Sequence, residues 1–196
     1  MPEMPTEITF DPEKHEYRRG NVLVPSVTQI LEAAGLYPDF SLIDAATLEW
    51  KRNLGTQVHA ATALDDQSNL GDYDPQIDGY IDAWRLFKRQ TGFRPVHIEH
   101  LIYHKAHGYA GTLDRIGVMA GKSILIDIKT GNTIDLMAVG PQTAAYAEAW
   151  GLHARGRYAV KLASDGTYKL IQCGNKMDFP VFLSCLNLWR WKEIHK

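Results

Sequence analysis

The feature that most constrains the fold is a change in the spacing of apolar residues near residue 93. Over residues 75–92 the apolar side chains recur every three to four positions, which predicts a helix. From residue 96 the spacing becomes two, and three segments rich in β-branched residues follow one another, at 96–104, 109–120 and 122–130. The chain therefore combines helices with a sheet that begins with three consecutive strands.

The N-terminal part predicts short strands followed by helices. Strands and a turn within residues 8–25 precede a helix that Ser26 caps and that ends at Gly35. Residues 41–64 continue with helical spacing. Because Gly55 interrupts that spacing, the segment is either one helix or two.

The C-terminal part predicts a helix, a hairpin and a last helix. An Ala-rich helix is expected from about Pro141, a hairpin turn at residues 164–166 and an amphipathic helix over residues 180–196. A chain of 196 residues with 45% hydrophobic content has the size of one domain with a real core. We expect a single domain in which an N-terminal hairpin and helical segment (about 1–92) packs on a core (about 93–196).

Composition excludes several classes of protein. No stretch approaches eighteen uninterrupted apolar residues, and the N-terminus is acidic rather than basic and then apolar, so neither a membrane span nor a signal peptide is expected. Two cysteines are too few for a disulfide framework or a four-cysteine metal site and suit a reducing, cytoplasmic location. With a net charge of -2, any binding of nucleic acid requires local basic clusters.

The second and third strands predict a pair of facing carboxylates. The shortest turn between them is 120–121, which pairs Met119 with Lys122 and by counting sets Asp114 opposite Asp127. Directly opposed side chains have Cβ atoms about 4.5–5.5 Å apart, and like charges so placed repel each other. A divalent cation that binds both groups would offset the repulsion, and carboxylate oxygens are ligands that Mg²⁺ and Mn²⁺ prefer.

Lys129 adds a positive charge to the same face. The period of two along a strand puts Lys129 on the side of Asp127, while Ile124, Ile126 and Ile128 point to the core. Two acidic ligands beside a lysine suit phosphodiester hydrolysis, in which a metal-bound water attacks phosphorus. The alternative is a solvated acidic pair without a ligand.

These residues resemble motifs of the PD-(D/E)XK nuclease superfamily, in particular its RecB-like exonuclease branch. GTLD at 111–114 is similar to the second motif and DIK at 127–129 to the third. A Q-x-x-x-Y motif on the following helix is matched by Gln142 and Tyr146, and the upstream helical histidine of the branch is matched by His59 in GTQVH. Order and spacing agree from about residue 26 to residue 163.

The resemblance implies a fold, a cofactor and a set of site residues. The fold is α/β, a restriction-endonuclease-like core with a central mixed sheet of order αβββαβ flanked by helices. The cofactor is Mg²⁺ or Mn²⁺, and no iron-sulfur cluster is expected. Asp114, Asp127 and Lys129 are the implied catalytic residues. The implied metal ligands are His59, Asp114, Asp127 and the carbonyl of Ile128, with Glu99 as an auxiliary carboxylate, and Gln142 and Tyr146 would contact DNA.

Several basic residues are candidates for binding nucleic acid. Lys51 and Arg52, just ahead of Gly55, are the first choice for binding DNA. Further basic side chains that either contact DNA or form solvated faces are Arg85, Lys88, Arg89, Arg155 and Arg157. The alternation Trp189-Arg190-Trp191 either stacks on bases or packs the last helix on the sheet.

The leading hypothesis from sequence is a metal-dependent DNA exonuclease of recombination, repair or end processing, of the compact kind found in phage and prophage. Its implied partners are single- or double-stranded DNA ends and a single-strand annealing or recombination protein. Two alternatives stay open: a sequence-specific or structure-specific endonuclease with the same chemistry, and a module that binds DNA without turnover.

Overall fold

The computed structural model describes residues 8–37, 44–152 and 156–195. In these ranges the strands are β1 (Ile8–Asp11), β2 (Glu16–Arg19), β3 (Val22–Val24), β4 (Arg94–His104), β5 (Tyr109–Met119), β6 (Lys122–Lys129), β7 (Arg157–Leu162) and β8 (Tyr168–Gln172). The helices are α1 (Val27–Ala33), α2 (Ala45–Asp66), α3 (Asp78–Thr91), α4 (Leu136–Trp150) and α5 (Asp178–Ile194), with a 3₁₀ turn at Pro75–Ile77. None of the described helices has the length and apolar character needed to cross a membrane.

The central element is a five-stranded mixed sheet of order β4-β5-β6-β7-β8. Neighbouring strands are antiparallel except β6 and β7, which are parallel because the chain crosses over through α4 between them. A smaller antiparallel sheet, β1-β2-β3, is formed by the N-terminal segment. The predicted α/β class with a mixed sheet flanked by helices is confirmed, as are the three consecutive strands.

Helices cover both faces of the central sheet. Ile124, Ile126 and Ile128 of β6 pack in a core cluster with residues of α2 and α3. Leu125 of the same strand packs in a second cluster, with α1, α4 and α5. The alternation of β6 side chains between two cores agrees with the predicted inward direction of its isoleucines and leaves its C-terminal end, at Asp127 and Lys129, to the site described below.

The turn between β5 and β6 has the predicted register. Ala120 and Gly121 both have positive φ (49° and 73°), as a type I′ hairpin turn requires, and Met119 pairs with Lys122. The ladder continues to Arg115 and Ile126 and ends there, so Asp114 and Asp127 do not form the next ladder pair. The predicted direct pairing of these two acids is therefore corrected.

The structure decides one helix boundary that the sequence left open and corrects another. Gly55 does not divide its segment, because α2 runs unbroken past it and buries Leu54 and Val58 in the core on either side. Burial on this scale outweighs the cost of about 1 kcal/mol for a glycine in a helix. The first residues of that predicted segment, 41–43, lie outside the described residues. The Ala-rich helix starts at Leu136 rather than at Pro141, since Asp135 caps it by accepting the Met137 N–H at 2.9 Å.

Helix α1 begins with a capping box, as the N-cap prediction required. Ser26 Oγ accepts the Gln29 N–H at 3.1 Å, and the Gln29 side chain accepts the Ser26 N–H at 3.0 Å. Replacing Ser26 with alanine is expected to lower the free energy of unfolding by about 1 kcal/mol, because a buried helix end then loses its acceptor. Urea unfolding would measure the change, with Ser184→Ala on α5 as a control of equal chemistry. Equal losses in the two variants would contradict the capping role.

Candidate active site

A cluster of potential metal ligands lies where α2, β4 and β5 meet. His59 of α2, Glu99 of β4 and Asp114 of β5 each offer one ligand atom, and these atoms lie within 4.8 Å of one another. The Nδ1 atom of His59 is 3.6 Å from Glu99 Oε1 and 3.6 Å from Asp114 Oδ1. Glu99, expected only as an auxiliary carboxylate, therefore stands with His59 and Asp114 at the centre of the site.

The main chain of β6 closes the cluster on another side. The Nε2 atom of His59 is 3.2 Å from the carbonyl oxygen of Ile128, and the Ile128 N–H donates to Asp114 Oδ2 at 2.6 Å. The Ile128 N–H thus bonds to the side chain of Asp114 instead of to a main-chain carbonyl of β5. This contact accounts for the end of the β5–β6 ladder at Arg115 and Ile126. The predicted grouping of Ile128 with His59 and Asp114 agrees with these contacts.

The backbone is irregular where the carboxylates lie. Glu99 has φ of 45°, the left-handed region that a glutamate rarely adopts, and the pairing of β4 with β5 passes over Glu99 and Asp114. Leu113 and Ile116 both pack in the cluster beside α4, although strict alternation would set them on opposite faces. Strained backbone of this kind persists where surrounding contacts hold it and is frequent at functional sites.

Asp127 and Lys129 form an ion pair beside the cluster. Lys129 Nζ lies 2.8 Å from Asp127 Oδ2, and the Asp127 side chain is only 2% exposed. Within the described ranges Asp127 Oδ2 has this ion pair and no further hydrogen bond. Asp127 therefore retains capacity to bind a further cation. The ligand cluster formed by side-chain atoms does not include it, so its predicted role as a metal ligand stays a prediction.

Gln142 and Tyr146 of α4 hold Lys129 in place. Lys129 Nζ donates to Gln142 Oε1 at 3.3 Å, and the Gln142 amide donates to the Tyr146 hydroxyl at 3.3 Å. Both α4 side chains are buried, and Gly111 admits the Tyr146 ring, because a Cβ there would lie 2.7 Å from a ring carbon. Sequence reasoning assigned this pair to DNA; their burial supports a positioning role, and contact with a strand stays a prediction.

Tyr37, which the sequence did not single out, belongs to the same group. Its hydroxyl donates to Gln142 Oε1 at 3.2 Å, and burial raises its pKa to about 12. The phenol thus stays protonated at neutral pH and serves as a donor.

Burial and repulsion between carboxylates shift the pKa values of the site residues. The pKa of Asp114 is raised to about 6, most of all by burial. The negative charges of Asp127 and Glu99 also raise this pKa, and the positive charge of His59 lowers it by less than these effects together. Burial alone would lower the pKa of His59 and that of Lys129, yet neighbouring carboxylates outweigh it and raise both. The carboxylates of the site therefore favour the protonated, positively charged forms of His59 and Lys129.

Arg115 supports the cluster from the opposite side, and sequence reasoning missed it. Its fully buried guanidinium donates to Glu99 Oε1, to the Asp114 carbonyl and to Asp66 Oδ2, each at 2.7 Å, and to Thr62 Oγ1 at 3.1 Å. Burial would raise the pKa of Glu99, but His59 and Arg115 hold it below its usual range. A charged residue in the core-facing part of an otherwise apolar strand was the available signal.

The basic residues proposed to bind DNA differ in exposure and in ion pairing. Lys51 and Arg52 are exposed and line a cleft of about 600 Å³ that Lys129 also lines. Arg85 and Lys88 instead form ion pairs with Asp65, and Lys88 also with Asp66.

The prediction that Arg157 contacts DNA or forms a solvated face is wrong, because Arg157 is buried and pairs with Asp178 at 2.9 Å. Arg155 lies outside the described residues. Lys51 and Arg52 are thus the nominated cations that remain next to the site.

Comparisons with known proteins add little. No protein-family model matches the sequence, and a search of curated proteins finds no match. Among solved structures, the chain is similar to an alkaline exonuclease from Laribacter hongkongensis, with 13% sequence identity, coverage of 87% of this chain and 94% of that chain, and a TM-score of 0.39. The chemistry of the site is therefore inferred from its own side chains.

Replacing Asp114 with asparagine is expected to stabilise the metal-free protein at neutral pH. The pKa of Asp114 rises from its ordinary 3.8 to about 6, so the folded chain holds this proton more tightly than the unfolded chain, and stability falls as the pH rises through about 6. In EDTA, the free energies of unfolding are expected to converge near pH 4 and to favour the variant by up to about 3 kcal/mol at pH 7. A variant less stable than the wild type at pH 7 would contradict this.

Arg115→Lys is expected to weaken binding of Mn²⁺ by about 10- to 100-fold, because a lysine cannot hold Glu99 and the Asp114 carbonyl together. Calorimetric titration without DNA measures this directly. Arg85→Lys is the matched control, since Arg85 also pairs with a carboxylate (Asp65, 2.6 Å) but is 47% exposed. Equal affinities in both variants, with native circular dichroism, would rule out the supporting role.

Proposed function

We propose that this protein is a divalent-cation-dependent deoxyribonuclease that hydrolyses phosphodiester bonds and acts from DNA ends. One observation carries the proposal. His59, Glu99 and Asp114 bring their ligand atoms within 4.8 Å of one another, next to the Ile128 carbonyl and the ion pair between buried Asp127 and partly exposed Lys129. The motif resemblance of the hairpin and of α4 supports the choice of an exonuclease over other phosphodiesterases.

The donor set fits a hard divalent cation. Carboxylate and carbonyl oxygens suit Mg²⁺ and Mn²⁺, and one imidazole ligand is compatible with Mn²⁺. Asp127 contributes a buried oxygen that has its ion pair with Lys129 and no further hydrogen bond within the described ranges. The residues that would hold the ion are His59, Glu99, Asp114, Asp127 and the carbonyl of Ile128. When bound, such an ion polarises the phosphate and lowers the pKa of a bound water.

Lys129 supplies a fixed positive charge. Because its carboxylate neighbours raise its pKa, the ammonium stays protonated at neutral pH and is not suited to removing a proton from water. It is placed to stabilise the negative charge that develops on phosphate oxygens, and Gln142 fixes its direction. We therefore assign Lys129 the stabilisation of charge rather than the removal of a proton from water.

The reaction itself is a hydrolysis. A water oxygen adds to phosphorus, one phosphorus–oxygen ester bond breaks, and the departing oxygen receives a proton as the attacking water loses one. No redox step or covalent enzyme intermediate is needed. The chain's contribution is to place opposite charges around the phosphate and to orient the strand.

End-labelled linear DNA and closed circular DNA, each single- and double-stranded, test the proposal. With Mn²⁺, release of label from linear DNA is expected, and EDTA is expected to abolish it. Asp114→Ala and Lys129→Met are each expected to lower the rate by at least about 100-fold, because they remove a ligand and the fixed charge. Asp72→Asn, on the exposed loop before α3, is the control and should retain the wild-type rate.

Each result has a distinct meaning. Cutting of closed circles would replace exonuclease action with endonuclease action on the same site. Binding of DNA without cleavage of any substrate would overturn the nuclease and leave a binding module. A rate that survives Asp114→Ala would place the chemistry elsewhere.

A further inference from the structure

A cleft extends from the site along the N-terminal half of α2. One wall is formed by α2, with Trp50, Lys51 and Arg52, and the other by residues 130–135 and the first turn of α4. Its volume is about 600 Å³. Pockets of about 300–1,000 Å³ hold one small ligand or one segment of a larger one.

The cleft is continuous with the catalytic group. Lys129 lines it and also pairs with Asp127, so the same ammonium belongs to both. Arg52 and His59 are seven residues apart on α2, which is about 10 Å along the helix axis. The cleft therefore reaches Lys129, which lies beside the ligand cluster.

The charge of the cleft suits a polyanion. Lys51 and Arg52 are exposed, and within the described parts of the chain no ion pair engages either of them. Asp135 is the acidic residue among the lining side chains, and its carboxylate caps α4. Positive charge thus prevails along the wall formed by α2.

Trp50 gives the cleft an aromatic surface. Its side chain is 51% exposed, whereas the large aromatic side chains of the core, such as Trp84, are fully buried. A tryptophan is rarely left this exposed for the sake of stability, since burying its ring would stabilise the fold. Grooves that combine cations with exposed aromatic rings bind single-stranded nucleic acid, in which bases stack on the rings.

We infer that this cleft binds an unpaired DNA strand, with a base stacked on Trp50 and phosphates beside Lys51 and Arg52, and thereby delivers a single strand to the site. The inference rests on the proposed nuclease function. It names the substrate as single-stranded DNA, or as a strand of a duplex that has become unpaired. A duplex keeps its bases stacked on one another, so a base of intact duplex offers no free face to Trp50.

The shape of the cleft points the same way. Elements that read the bases of duplex DNA protrude into its grooves, the wider of which is about 12 Å across. Here the cationic and aromatic residues line a concave cleft instead. A concave cationic channel with a ring on its wall is complementary to one flexible strand.

Fluorescence anisotropy of labelled oligo(dT), and of a blunt duplex of equal length, tests the inference in EDTA, where no turnover occurs. Trp50→Ala is expected to weaken binding of oligo(dT) by about 5- to 150-fold, and Trp50→Phe to restore most of it. Met177→Ala is the control, because Met177 is also an exposed apolar side chain (59%) and does not line the cleft. The wild type is expected to prefer oligo(dT) to the duplex.

The same preparations are then assayed for DNA cleavage with Mn²⁺, which separates two kinds of failure. If the wild type cleaves DNA but Trp50→Ala binds oligo(dT) as the wild type does, the strand site is wrong and the nuclease stands. Tighter binding of the blunt duplex would likewise overturn the strand site. If Trp50→Ala loses oligo(dT) while no substrate is cleaved, the nuclease is wrong and the cleft remains a strand-binding site.

Discussion

The structure of the site depends on bringing three acids together at one end of the central sheet. Glu99, Asp114 and Asp127 lie on adjacent strands, and repulsion among them would disfavour folding, most of all for the largely buried Asp114 and Asp127. Positive groups surround them: His59 faces Glu99 and Asp114, and Lys129 pairs with Asp127. The pKa of Asp114 nevertheless stays raised, because burial and the charges of Asp127 and Glu99 outweigh the effect of the neighbouring cations.

Supporting contacts keep these charges at fixed positions. Arg115 joins Glu99 to Asp66 inside the core, and Gln142 joins Lys129 to the helix behind it. Each contact comes from an element whose other residues pack in the hydrophobic clusters. Packing of the core therefore holds the side chains of the site in position. The left-handed backbone of Glu99 is the local cost of that geometry.

Much of this arrangement was predictable because the physics involved is local. The three strands, the hairpin turn and the placement of Asp127 with Lys129 follow from periodicity and turn length, and the structure agrees with them. The sequence left open whether Gly55 divides a helix, and the prediction that a helix starts at Pro141 was wrong. Gly55 does not break α2, and Pro141 does not start α4, because burial and an aspartate cap outweigh these residues' own preferences.

The sequence by itself determined the three consecutive strands, the hairpin turn and its register near the turn, and the shared face of Asp127 and Lys129, since side-chain alternation and a two-residue turn leave little freedom there. Only the tertiary structure decided that Glu99 joins His59 and Asp114, that Arg115 supports them, and that Gln142 is buried against Lys129. Those contacts join residues far apart in the chain, and they depend on where the β5–β6 ladder ends and how closely α2 and α4 approach the sheet. Distances of that kind are fixed by packing and have no counterpart in residue spacing.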